Sequence, residues 1–157
     1  EAYATAVERA GVRRWLRRND DPGTLAAWEA SRRREAKFTE MLLQARSELE
    51  ALYARGLQTT AMRAEKRAIL DALRQRLARW VRQAGNAGFE AWVRRDLNNA
   101  HLALLATYEA GTSAFADLLA EYDGNFERFH QAVERLAESG RETRSKFLNR
   151  CRTDNCP

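Results

Sequence analysis

Residues 22–55 read PGTLAAWEASRRREAKFTEMLLQARSELEALYAR, and the spacing of their apolar members decides the fold class. Trp28, Phe38, Leu42, Ala45, Leu49 and Leu52 recur at three- and four-residue steps, the period of one face of an α-helix. Asp21 is the expected cap, and Pro22 suits the first helical position because its missing N–H would find no partner there. The run ends at about Arg55, before Gly56. The loop GLQTT follows, with Thr59 or Thr60 as the next cap. A second periodic run then carries Met62, Ile69, Leu73, Leu77 and Trp80 as far as Gly85. Two long helices joined by a short turn make an antiparallel hairpin, here over residues 21–84.

Working outward, residues 1–18 form a further helix that stops at NDDPG. On the other side, FEAWVRRDLNNAHLALLATYEAG reads as helical from 89 to Gly111. Thr112 or Ser113 caps a shorter helix through Tyr122, and the turn DGN precedes one from about Asn125 to Ser139. RETRSKFLNR adds a final turn or two, so that 89–150 form a bundle region. The expectation is an all-α chain of six or seven helices in a single helical domain.

The composition agrees. Hydrophobic residues make up 45% and charged residues 31% of the 157, a balance that suits a packed chain rather than a disordered tail. The net charge is +5, but arginines alternate with acids, as in EASRRREAKFTE at 29–40, which describes a solvated helix surface. No motif of fixed spacing points to nucleic acid, and no nucleic-acid partner is expected. The longest apolar run, LALLA at 102–106, is far too short to span a membrane. The chain opens on EAYAT without methionine, which reads as a chain that has lost its natural N-terminus. Cys151 and Cys156 sit in CRTDNC with no histidine nearby. A small disulfide loop and a pair of free thiols both fit them, and a zinc knuckle does not.

The first sixteen residues, EAYATAVERAGVRRWL, pose the chemical question. With Glu1 at zero and about 100° per residue, Glu8 falls near −20°, Thr5 near +40°, Val12 near +20° and Trp15 near −40°. Ala4, Val7, Gly11 and Leu16 complete an apolar arc, and the arginines at 9, 13, 14, 17 and 18 lie outside it. Glu1 and Glu8 are thus expected where the core should be. A buried carboxylate must be neutralised, paired or bound to a cation. An arginine partner, an exposed first turn favoured by the helix dipole, and a metal or catalytic role all satisfy that requirement.

The stretch EAYATAVERAGVRRWL resembles the segment downstream of the HExxH motif in a family of bacterial proposed aminopeptidases of the gluzincin zinc-peptidase type. LNNAHLALLATYEAG at 97–111 is also similar to that family, as is the spacing to FADLLAEYDGNFERFHQAV at 115–133. The hairpin is similar only in character. Glu1, Ala4 and Thr5 match the E-x-x-A-T pattern that carries the third zinc ligand. The resemblance therefore implies Glu1 as that ligand, with Glu8 orienting a ligand or holding an arginine, and Thr5 bonding either acid. It implies Zn²⁺ as cofactor, peptides as substrates, and an exported, periplasmic or membrane-anchored lipoprotein whose anchor lies outside these residues. It also implies a fold like the C-terminal helical part of a gluzincin-like peptidase.

One departure is severe: HExxH occurs nowhere in the chain, whose only histidines are His101 and His130. Two zinc ligands and the general base are missing. The expectation is a C-terminal helical portion, inactive alone, whose partner is the HExxH-bearing N-terminal part of the same protein.

Tyr108 is a candidate oxyanion donor, because peptide hydrolysis by such enzymes needs one; a tyrosine ending a core helix is the plainer alternative. Asn98 and Asn99 are poor interior helix formers and so candidates for bonding backbone or substrate. In an unbroken helix they cannot share a face with Tyr108, so one site could hold them all only if the helix breaks. His101 and His130 read as surface or satisfied histidines, and the four tryptophans as core. The rival reading is a non-enzymatic helical interaction module, its hairpin offering an amphipathic face to a partner helix.

Overall fold

The computed structural model describes residues 1–19, 22–83, 85–103 and 111–148. Seven α-helices are bounded among them: α1 (Ala2–Arg18), α2 (Pro22–Ala54), α3 (Thr59–Val81), α4 (Glu90–Arg94), α5 (Thr112–Glu121), α6 (Phe126–Glu138) and α7 (Arg141–Leu148). A 3₁₀ turn spans Ala87–Phe89, and residues 99–103 are helical. No strand occurs among the described residues, so the all-α expectation holds. None of these helices is long and apolar enough to cross a membrane.

The chain forms two compact units. One is built on α2 from Ala26 onward, with α3 and α4; the other holds α1, α5, α6 and α7.

In the hairpin unit the periodic residues from Phe38 onward pack as their spacing requires, whereas Trp28, expected with them, is only half-buried and lies under the Arg32 guanidinium outside that core. Phe38, Leu42, Ala45, Leu49 and Leu52 of α2 are buried against Leu73 and Leu77 of α3, with Met62, Ile69 and Trp80 packed on the edge. Facing partners descend in step, Arg55 with Glu65, Glu48 with Arg76 and Phe38 with Trp80, which makes the pair antiparallel. An aromatic group closes the far end of this core. The Phe38 ring lies 4.8 Å from that of Phe89 and 5.1 Å from that of Trp92, and Trp80 meets Phe89 edge-on at 4.9 Å. Such offset and edge-on pairs add to the area they bury.

Three boundaries differ from expectation. Gln58, not Thr59 or Thr60, is the residue before α3, and both threonines lie inside the helix. Gly111 precedes α5 with φ of 85°, so Thr112 is its first helical residue rather than its cap. This left-handed glycine also lies under Leu148: a Cβ there would come within 2.5 Å of Leu148 Cδ2. The largest difference is at 89–111, read as one helix. It is broken at 95–98 between α4 and the helical residues 99–103. The backbone turns extended at Arg95, and Asn98 starts the next helix, its Oδ1 accepting the Ala100 N–H at 3.0 Å and the His101 N–H at 3.4 Å. A side chain that takes those donors starts a helix rather than continuing one. The expected cap Asp21 lies outside the described residues, as do Tyr108, Cys151 and Cys156.

The turn after α5 follows the reading closely. Asn125 precedes α6 and its side chain accepts the Arg128 N–H at 3.1 Å, while Asp123 and Gly124 supply the positive-φ residues of the turn. In this unit Phe129 is fully buried among Ala6, Ala114, Phe115, Leu118, Leu119 and Phe147.

Candidate functional site

The helix that carries the acidic residues, α1, packs mainly against α5. Small residues set that approach: Ala6 and Ala10 of α1 lie over the cluster that contains Ala114, and alanines let two helix backbones come close. Tyr3 and Val7 complete the packed face. Tyr3 stacks on Phe129 and meets Phe115 edge-on, each at 5.8 Å between ring centres. Its hydroxyl lies 2.7 Å from Nδ1 of His130 and donates to it when the ring carries its proton on Nε2.

The packed face of α1 is therefore nearly opposite the one expected. Ala6, Ala10 and Tyr3 lie about 140–200° around the helix from Glu1. Glu1 and Glu8 are both exposed, and Trp15, expected in the core, is 63% exposed. The arc drawn through Val12 and Trp15 gave weight to size, whereas the neighbouring helix selects small residues. Of the expected arc only Leu16, at its margin, is buried. Neither acid is buried, so neither needs the arginine partner that burial would demand. Among the described residues the two carboxylates make no hydrogen bond or ion pair, and the Thr5 hydroxyl bonds neither. Glu1 does hold the helix start through its backbone, its carbonyl accepting the Thr5 N–H at 2.9 Å.

The outer face of α1 thus shows Glu1, Ala4, Glu8 and Trp15 in one stripe, with arginines filling the last turn. Glu1 and Glu8 stand about 10 Å apart along the axis, and helical side chains lean the same way, so the two acids do not converge on one point. No group of three or more histidine, cysteine, aspartate or glutamate side chains gathers among the described residues. A catalytic zinc needs three protein ligands. What these residues offer is one accessible carboxylate, or two separate ones, and not a complete donor set.

The remaining candidates fall elsewhere. Asn98 serves the local cap described above, and Asn99 Nδ2 donates to the Tyr53 hydroxyl at 2.7 Å, tying the chain after the break to α2. His101 is satisfied: its Nδ1 accepts the Asn98 N–H at 3.3 Å and its ring lies against Trp92. His130 is satisfied by Tyr3. That pair escaped the sequence reading because Tyr3 was assigned to no face; the signal was the alanine spacing at 2, 6 and 10, which brings Tyr3 inward.

Fold and site together define a helical protein whose first helix keeps one face on a partner helix and leaves an acidic stripe free. Comparison with known families then fixes the relationship: the chain belongs to the family described as putative aminopeptidase, whose model matches residues 1–148. The match runs through both compact units and includes all three stretches on which the resemblance was read. No curated protein and no solved structure matched the chain.

Proposed function

We propose that this chain is the helical part of a zinc-dependent aminopeptidase of the gluzincin type, and that Glu1 is its contribution to the metal. The observation that carries the reading is the family match over 1–148, beginning at a glutamate that is exposed and unpartnered on a well-anchored helix. In this reading the two histidines and the base of HExxH, a motif that the 157 residues do not contain, come from polypeptide outside them. Glu8, two turns along the same stripe, then orients a neighbouring group rather than touching the ion. Thr5 plays a similar part, turning its hydroxyl to an acid once the ion is held. Tyr108 remains the proposed oxyanion donor. The substrate is a peptide with a free N-terminus, and the setting is an exported lipoprotein.

Each chain residue has a limited task in this scheme. The α1–α5 contact fixes the direction of α1, and so the position of Glu1. Its outer face stays open to the segment that brings the histidines. Zinc analysis and an aminopeptidase assay on the product of the complete gene test this. Glu1→Gln should abolish zinc retention and turnover. Glu8→Gln should lower both by ~10–100-fold, as expected for a residue behind the ligands. A Glu1→Gln enzyme with full zinc and full turnover removes the ligand assignment, and a gene that encodes no HExxH removes the peptidase.

A further inference from the structure

In the hairpin unit, a cleft of about 410 Å³ lies between the first half of α3 and the non-helical residues 95–98. We propose that this cleft binds a short acidic peptide segment bearing an apolar side chain. Its size falls within the ~300–1,000 Å³ range of ligand clefts.

Arg63, Lys66, Arg67 and Arg74 reach it from α3, and their three-, four- and seven-residue separations place them along one side of the helix. They are not equivalent. Arg74 is held by Asp71 at 2.8 Å and by Asp96 at 3.4 Å. Arg63, Lys66 and Arg67 make no ion pair or hydrogen bond among the described residues. Cations three and four residues apart on one helix repel each other, and the acid on this side of α3, Asp71, is already bonded to Arg74. A bound carboxylate removes that repulsion. The guanidinium forks of Arg63 and Arg67 suit carboxylates in particular, because two parallel N–H groups meet two oxygens.

The walls narrow the ligand further. Leu70, half-buried, lines the cleft beside Leu97, which is itself buried in the hairpin core, so a narrow apolar edge lies beside the cations. The break at 95–98 creates this wall by turning Leu97 inward while leaving the Asp96 side chain fully exposed. Asp71 and Asp96 would meet an extended anionic surface, a membrane plane or a nucleic-acid strand, with like charge. A peptide avoids that conflict by presenting glutamates to the free cations and backbone N–H groups to the aspartates. The charges therefore favour a discrete, mixed ligand over a continuous one.

The test is fluorescence anisotropy of a labelled peptide of glutamates around a central leucine, titrated with the intact 157-residue chain at low and high salt. A second peptide replaces the glutamates by lysines, and a third replaces the leucine by glycine. The acidic peptide should bind saturably and lose affinity with salt, while the lysine peptide should not bind. The glycine peptide should bind more weakly. Arg67→Glu should weaken binding about tenfold, the sum expected when a favourable ion pair becomes a like-charge contact. Lys66→Gln should weaken it less. Arg79→Glu, the same charge change on the opposite side of α3, should leave it unchanged. Equal losses in Arg67→Glu and Arg79→Glu would show an effect of net charge alone and overturn the site. So would no binding of the acidic peptide, or binding of phosphatidylglycerol vesicles in its place. Neither metal nor turnover enters this measurement, so its failure is separate from failure of the zinc-ligand assignment.

Discussion

Trp15 and Ala6 divide α1 in a way that residue type alone does not reveal. The indole is 63% exposed and the methyl group 4%. Helix-to-helix distance is set by the side chains at the contact, and α1 meets α5 through alanines. A tryptophan at that contact would force the helices apart. Replacing Trp15 should therefore cost little: Trp15→Ala is expected to change the stability of the 157-residue chain by less than ~0.5 kcal/mol. Leu77 is the contrast. It is 0% exposed between α2 and α3, and Leu77→Ala should cost ~2–5 kcal/mol through lost burial and an unfilled cavity. Urea unfolding followed by circular dichroism measures both. A Trp15→Ala loss comparable with that of Leu77→Ala would mean that α1 packs on its other face. The same error of weighting explains why Glu1 and Glu8 were expected inside. Once Val12, Trp15 and Leu16 were taken as the core face, the acids beside them went with it. Asn125 was legible for the opposite reason, since a cap is a local bond between a side chain and the next turn and needs no knowledge of the partner helix.

At the scale of elements, the sequence was most informative where the period was longest. Four consecutive steps from Phe38 to Leu52, answered by Leu73 and Leu77, leave one way to bring two helices together, and the pairs Arg55–Glu65 and Glu48–Arg76 follow from that register. The 89–111 stretch was misread because its leucines and alanines continue smoothly through a break after Arg94, beyond which one asparagine starts a new helix. The polarity of Asn98 was noticed; what a single sequence does not settle is whether such a residue caps, breaks or merely interrupts. Two measurements check these elements. A double-mutant cycle on Glu48 and Arg76, whose side chains are about a third exposed, should give a coupling of ~0.2–1 kcal/mol, small because solvent screens the pair. Zero coupling would show that the pair adds nothing to the hairpin beyond its apolar contacts. Asn98→Ala should speed amide exchange at Ala100 and His101, whose N–H groups its Oδ1 accepts, while the amides of α3 stay protected. Unchanged exchange at both would show that the break does not depend on the cap.

On the scale of the whole molecule, the two units each have a core of their own, and the functional question turns on what those cores leave outside. Unit membership was not readable from the sequence, because the helices that join α1 follow it by some ninety residues and nothing in the intervening hairpin marks a return. The family was readable from α1 and from 97–133, and the match over 1–148 agrees with that. Zinc is the point at which the chain must be tested against itself. Its two histidines lie in different units, His130 beside the Tyr3 hydroxyl and His101 beside the Asn98 N–H. Its two outward acids on α1 do not converge, and no three donor side chains gather among the described residues. A lone carboxylate in water holds zinc weakly; tight binding comes from several ligands fixed together. The 157-residue chain alone, equilibrated with zinc and then passed over a mild chelating resin, should therefore emerge with much less than one equivalent of metal. It should cleave no aminoacyl reporter substrate. Addition of a segment bearing HExxH should restore both, and Glu1→Gln should prevent the restoration. Stoichiometric zinc with turnover in the chain by itself would mean that these residues complete a site of their own, and the division of ligands between two segments would be wrong.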